Sequence, residues 1–264
     1  MLDKTTYAKN ILKALRDEPA QFLRPRTRFQ CPVCGYQGYF LSMHKLAERR
    51  CPNCSSKERD RIIALHFKKH SIDIRGKRIL HFSAERPFFR RWKDFPGYVA
   101  GDIKKSKVAN ALVDITDIKF PDDHFDVVIC NHVLEHVKAD HAGMVECHRV
   151  LKPGGEAYFS VPIGKDRPVT WEPPPDMPTR EVDKICGKDH KRNYGLDFAD
   201  KLRAVGFAVT PIETDPEEER RYRLSFPAFH DIVYFANFVT ILCYTFFLLF
   251  INNFPDFLKK VIDI

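Results

Sequence analysis

Glycine is scarce in this chain, 12 among 264 residues, and Ile79–Pro87, a β-rich run leading toward a helical one, contains none. A glycine-spaced loop, which would let the backbone approach a ligand closely, is excluded there. The chain opens without a run that reads as a secretory leader. Cys130, Cys147, Cys186 and Cys243 are scattered rather than framed for disulfides. A reducing, cytoplasmic setting is the expectation. Residues 1–93 also lack the dense aromatic–basic strip that stacks nucleic-acid bases. They do not lack charge: 22 Lys and Arg stand against 8 Asp and Glu, a net +14, while the remainder holds 21 against 27, a net −6. That asymmetry suggests a polyanion, an acidic membrane surface or the chain's own acidic half as partner of the basic third.

What is present begins with two Cys-Pro-x-Cys pairs, Cys31/Cys34 and Cys51/Cys54, with sixteen residues between them. A two-residue gap lets both thiolates of a pair reach one ion, and the interval returns the second pair as a hairpin. Four protein ligands leave no open position, so the spacing predicts a structural Zn²⁺ site in a ribbon, not a catalytic one. Tyr7, Ile11, Leu12 and Leu15 share one helical face over 5–17, and Ser55 with Glu58 reads as a capping box for a helix reaching about His70. The expected organisation is an N-terminal helix (1–25), ribbon and connecting helix (26–70), a body (71–237) and a hydrophobic tail (238–264).

From Lys77 onward short β-rich runs alternate with helical ones. The runs are 78–82, 98–100, 111–113, 125–130, 157–161 and 207–209, with helices near 87–94, 141–151 and 196–205. Such alternation predicts a mostly parallel sheet covered on both faces, with ligands at the carboxyl ends of its strands. Pro153 is expected to stop a helix, and Gly154-Gly155 to turn the chain into the next strand. The proline-rich 166–178 reads as a lid or substrate loop.

Phe120-Pro-Asp-Asp-His-Phe-Asp-Val-Val-Ile-Cys-Asn-His-Val-Leu-Glu-His136 resembles the central segment of class I S-adenosylmethionine (SAM)-dependent methyltransferases. Arg149-Val-Leu-Lys-Pro-Gly-Gly155 and Asp114-Ile-Thr-Asp-Ile118 resemble its neighbours, in the expected order over 78–162. The resemblance implies a doubly wound seven-stranded α/β sheet of the Rossmann-like methyltransferase type. It implies SAM as cofactor, with Asp102 on the ribose and Asp114 and Ile115 at the adenine. Asn131 and His132 would face the cofactor, as would Phe82, Ser83 and Glu85 in the loop that lacks glycine. That loop, with Cys51–Arg61 and Lys188–Gly195, is similar to a ribbon-bearing subgroup with a His-Phe-x-Pro-Glu-like loop, although Ala84 replaces the proline. His132–His136 also fits the His-x-x-Glu-His pattern of inverted zinc proteases, but the strand before it and the Lys-Pro-Gly-Gly turn after it argue for the methyltransferase.

Methyl transfer to a hydroxyl gains from a general base, and histidine suits neutral pH. His136 and His190 are the candidate bases; Thr170, Glu172, Arg192 and Tyr194 are candidate acceptor contacts. The subgroup points to a small or carbohydrate-like acceptor in a surface-polysaccharide pathway. The competing readings are an RNA methyltransferase binding through the basic third and a non-catalytic SAM-binding scaffold. Ile232–Ile251 carries no charge, and because the last strand would take its first part, the remaining fourteen residues suit an interfacial helix on the cytoplasmic membrane face, or an oligomer contact, better than a span.

Overall fold

A computed structural model describes residues 3–43, 46–163, 167–225 and 232–238. Helix α1 (Lys4–Asp17) is capped by Asp3, whose carboxylate accepts the Thr6 N–H at 3.0 Å. The ribbon follows as two small antiparallel pairs, β1 (Arg28–Gln30) with β2 (Gln37–Tyr39) and β3 (Leu41–Met43) with β4 (Leu46–Arg50). Helix α2 (Glu58–Lys69) then leads into the body. Its cap is not the expected one. Lys57 holds the N-cap position and its N–H donates to the Asp60 carboxylate at 2.9 Å. Ser55 is occupied instead in a cysteine turn, with φ 71° and its N–H on the Cys51 carbonyl.

The body holds β5 (Ile79–Phe82), α3 (Arg86–Trp92), β6 (Tyr98–Asp102), β7 (Ala111–Leu112), β8 (Phe125–Asn131), α4 (Asp140–Val150) and β9 (Leu151–Ser160). It continues with α5 (Thr179–Cys186), α6 (Phe198–Ala204), β10 (Phe207–Pro211), α7 (Pro216–Tyr222) and β11 (Val233–Phe238). Seven strands form one sheet in the order β7-β6-β5-β8-β9-β11-β10. The first five are parallel, and β11 lies antiparallel between β9 and β10. This is the doubly wound, mostly parallel sheet that the alternation of β-rich and helical runs predicted. The order reverses between β5 and β8, so their carboxyl ends part and leave a crevice there.

Alternation along the strands divides the core. Leu80, Phe82, Val128 and Cys130 meet Met144, Cys147 and Val150 of α4 and Phe198 and Leu202 of α6 on one face. On the other, Ile79, Val127, Ile129 and Tyr158 meet Ile62, Ile63, Leu65 and Phe67 of α2, Phe88 and Trp92 of α3, and Phe29, Val33, Phe40 and Cys51 of the ribbon. The ribbon is therefore part of a covering layer rather than an appendage.

Two boundaries differ from expectation. Helix α4 ends at Val150, and Pro153 lies inside β9, where the pairing jumps from Leu151↔Phe125 to Glu156↔Val127. The residues between form a bulge that asks no ladder hydrogen bond of proline, and Gly154 takes φ 73° within it. The expected tail lies outside the described residues beyond Phe238, which itself ends β11. Among the described residues no helix is long and apolar enough to cross a membrane.

Candidate functional site

The cysteine pairs sit in two turns of the same construction. The Cys31 carbonyl accepts the Gly35 N–H at 2.8 Å and the Cys51 carbonyl accepts the Ser55 N–H at 2.9 Å, with positive φ at Gly35 (76°) and Ser55 (71°). Four sulfurs come within 4.8 Å of one another, Cys31 to Cys54 at 3.6 Å and Cys34 to Cys51 at 3.7 Å. Bonds of about 2.3 Å to one tetrahedral zinc give sulfur–sulfur edges of about 3.8 Å. The donor set fits Zn²⁺. The Ser56 hydroxyl, 3.1 Å from Cys31 Sγ and 3.2 Å from Cys54 Sγ, would steady those thiolates.

A cavity of about 570 Å³ opens at the carboxyl ends of β5, β6 and β8. Of the residues expected to face a cofactor, Phe82, Ser83, Asp102, Asp114, Ile115 and His132 line it, and so does His136. Asp102 ends β6; its Oδ2 accepts the Ser83 hydroxyl at 3.3 Å and its Oδ1 the Lys104 N–H at 3.1 Å. Asp114 Oδ1 accepts both the N–H (2.9 Å) and the hydroxyl (2.8 Å) of Thr116. Apolar walls of Ile103, Val113, Ile115, Val133 and Val137 complete it. Strand-end carboxylates among apolar walls offer hydrogen-bond acceptors that suit the hydroxyls of a ribose diol and the amino group of an adenine ring.

The loop without glycine reaches this cavity by other means. Ser83 itself adopts the left-handed conformation, φ 45°, and its N–H donates to the Gly101 carbonyl at 2.8 Å. Behind it, fully buried His81 pairs through Nδ1 with the Tyr98 hydroxyl (2.9 Å) and through Nε2 with Glu85 (2.7 Å), which also meets Arg59 at 3.4 Å. Burial pushes the Glu85 carboxyl up, but the His81 hydrogen bond and the His81 and Arg59 charges outweigh it and hold it at about 2. Glu85 thus anchors the loop and does not line this cavity.

Neither does Asn131. Both residues line a second cavity of about 460 Å³, bounded by α1, the ribbon and the start of α2, which shares Ser83 and His132 with the first. Sequence reasoning missed this space. Its cations, Lys13, Arg50, Lys57, Arg59 and Arg86, are strewn along the chain, and the only signal was the basic surplus of the first third.

At the outer rim, His132 to His136 do not form a helix. His132 has φ 53°, and only Leu134–His136 make one 3₁₀ turn. His132 Nδ1 lies 3.3 Å from Glu135 Oε1, and the His136 and His190 rings meet edge to face with centroids 4.7 Å apart. Glu135, His136 and His190 each bring a potential ligand atom within 4.8 Å of the others, so this trio could also hold a divalent cation. Burial and the neighbouring His136 lower the His190 pKa, which favours a neutral imidazole.

The four candidate acceptor contacts are placed apart from both cavities. Arg192 is buried; it donates to the carbonyls of Leu134 (3.3 Å), Val137 (2.5 Å) and Lys138 (2.9 Å) and pairs with Glu172 at 2.7 Å. The buried Tyr194 donates its hydroxyl to Asp140 at 2.5 Å, and the N–H and hydroxyl of Thr170 are both on Asp197. These contacts clamp the segment that carries His136 against the proline-rich loop.

Residues 98–159, from β6 to β9, match a family described as a methyltransferase domain. The ubiquinone biosynthesis O-methyltransferase of Pseudomonas syringae is 47% identical over 38 residues, 14% of this chain and 16% of that protein. An uncharacterized methyltransferase of Schizosaccharomyces pombe is 43% identical over 56 residues, 20% of each chain. The chain thus spans no more than about a fifth of these curated relatives' lengths. Among solved structures, the YcgJ protein of Bacillus subtilis is similar with a TM-score of 0.49 and 14% identity, over 68% of this chain and 98% of that one. The likeness to methyltransferases thus falls on the segment from β6 to β9, which carries the strand ends that border the first cavity.

Proposed function

We propose that this chain transfers a methyl group from SAM to a hydroxyl of a small or carbohydrate-like acceptor, in the building of a surface polysaccharide. One observation carries the reading: a single cavity at the strand ends is flanked by Asp102 and Asp114 and bordered by His132 and His136, with His190 against His136. Bound SAM supplies an electrophilic methyl on a sulfonium, which needs little further activation. The chain's task is then to position and to exclude water. In this reading Asp102 accepts the ribose hydroxyls, Asp114 the adenine amino group, and Ile115 packs on the ring. Ser83 and His132 border the methionine end, and the His136–His190 pair takes the acceptor proton. Zinc in the four-cysteine site would act only as a cross-link of the ribbon.

The acceptor side is tested by incubating the protein with methyl-labelled SAM and a cell extract, then fractionating the product. Label in an RNase-resistant saccharide fraction is expected; label lost to RNase would replace the saccharide with RNA. The cofactor side rests on Asp102→Ala. Loss of a hydrogen bond to a charged acceptor costs about 1.5–3 kcal/mol, so calorimetry should show SAM affinity weakened by more than about tenfold. Unchanged affinity would mean that the ribose lies elsewhere.

A further inference from the structure

The second cavity has no role in cofactor binding as described, yet it meets the cofactor cavity at Ser83 and His132. Its charge is unbalanced. Of its five cations only Arg59 has a carboxylate partner; Lys13, Arg50, Lys57 and Arg86 have none within 4.0 Å among the described residues. Of its two carboxylates, Glu85 is engaged by His81 and Arg59, and Asp60 accepts the Lys57 N–H through Oδ2, while its buried Oδ1 lies 3.9 Å from Arg59 Nε with no hydrogen bond among the described residues. Burial and the Glu85 charge also push the Asp60 carboxyl up. Burial lowers the Lys57 pKa, with the Arg59 charge adding to it.

Two donors in this wall have no acceptor. Asn131 is 2% exposed; its Oδ1 accepts the Ser160 hydroxyl at 3.0 Å, while its Nδ2 is buried with no partner among the described residues. Arg50 Nε is likewise buried and without a partner. Orphaned donors of this kind call for an acceptor from outside the chain. SAM does not meet the need. Its carboxylate is offset by its own ammonium, and its sulfonium adds a further positive charge, so binding it next door raises the surplus. An acceptor that carries at least two negative charges reverses it.

We propose that the second cavity is the acceptor site and that it recognises a phosphate ester or diphosphate, so that the substrate is a phosphorylated saccharide whose hydroxyl reaches the methyl at the Ser83–His132 junction. Arginine forks and lysine ammoniums from α1, β4, α2 and α3 match the tetrahedral, multiply charged group. A space of about 460 Å³ admits a sugar phosphate. The phosphate stays bound throughout; only the acceptor O–H is exchanged for O–CH₃, the proton leaving to a base and SAM departing as its demethylated thioether.

This inference rests on the methyltransferase reading, and calorimetry separates the two failures. S-adenosylhomocysteine is titrated first: no binding would sink the methyltransferase reading itself. With that ligand saturating, inorganic pyrophosphate is titrated next. Binding is expected, and Lys57→Gln and Arg50→Gln should each weaken it by about tenfold or more while leaving S-adenosylhomocysteine affinity within about twofold. The exposed Lys13→Gln gives the same direction with little risk to the fold. Glucose 1-phosphate in solution and vesicles carrying a polyprenyl phosphate then distinguish a free from a lipid-linked source. If pyrophosphate fails to bind, is displaced by S-adenosylhomocysteine, or binds all three variants as it does the wild type, the proposal is overturned.

Discussion

Replacing Cys51 by serine is expected to remove the zinc and to lower the melting temperature by about 10 °C or more. Cys51 is fully buried and belongs to the hydrophobic cluster that joins the ribbon to the sheet. Three of the ribbon's four strands have only three residues, so they contribute little stability of their own. A structural zinc supplies about 10–16 kcal/mol of apparent binding free energy in small zinc-folded peptides. A loss of even several kcal/mol in a domain of this size shifts the transition by about 2–4 °C for each. Metal analysis should therefore fall from one zinc per chain toward none, alongside an earlier melt. A variant that keeps stoichiometric zinc would refute the four-sulfur site.

His136→Ala or His190→Ala should lower turnover on the true acceptor by about 10²–10⁴, the usual worth of a general base. SAM affinity should remain nearly intact. The geometry says which nitrogen acts. His136 Nδ1 lies 3.2 Å from the Asp189 carbonyl, which can only accept, so Nδ1 carries a hydrogen and Nε2 is the nitrogen left to take the acceptor proton. His136→Asn separates chemistry from architecture: its amide can still donate toward Asp189 but cannot take a proton. Restored stability without restored turnover is the expected outcome. If both alanine variants turn over at near-normal rates, the acceptor is methylated by proximity alone.

The sheet was legible because its central strands are mostly apolar. Val127–Cys130 is an unbroken apolar run buried on both faces, and the turns around it carry residues suited to them. The acids at 102 and 114 followed from the same pattern, since a strand end in a parallel sheet has a known place. Burial against backbone was not legible. Arg192 and Tyr194 read as groups for a ligand because carbonyl partners such as those of Leu134, Val137 and Lys138 leave no mark in a sequence. Glu85 misled in the same way, its partner His81 being four residues back in an apolar strand. The cationic cavity was hidden for a different reason: α1, β4, α2 and α3 meet there only after the ribbon has folded onto the sheet.

The shared layer of ribbon and sheet has a practical meaning for anyone who would dissect this chain. Residue 70 ends a helix, yet it is no place to cut. A fragment starting at residue 71 would uncover Val127, Ile129 and Tyr158, which α2 and the ribbon keep from water. It would also take Arg59 away from Glu85, leaving a buried acid short of a counter-charge beneath Ser83. The smallest piece able to keep the Ser83 loop ordered includes the four-cysteine segment, so shortened versions of this protein, and chimaeras grafting its body onto another ribbon, must carry α2 and its contacts along.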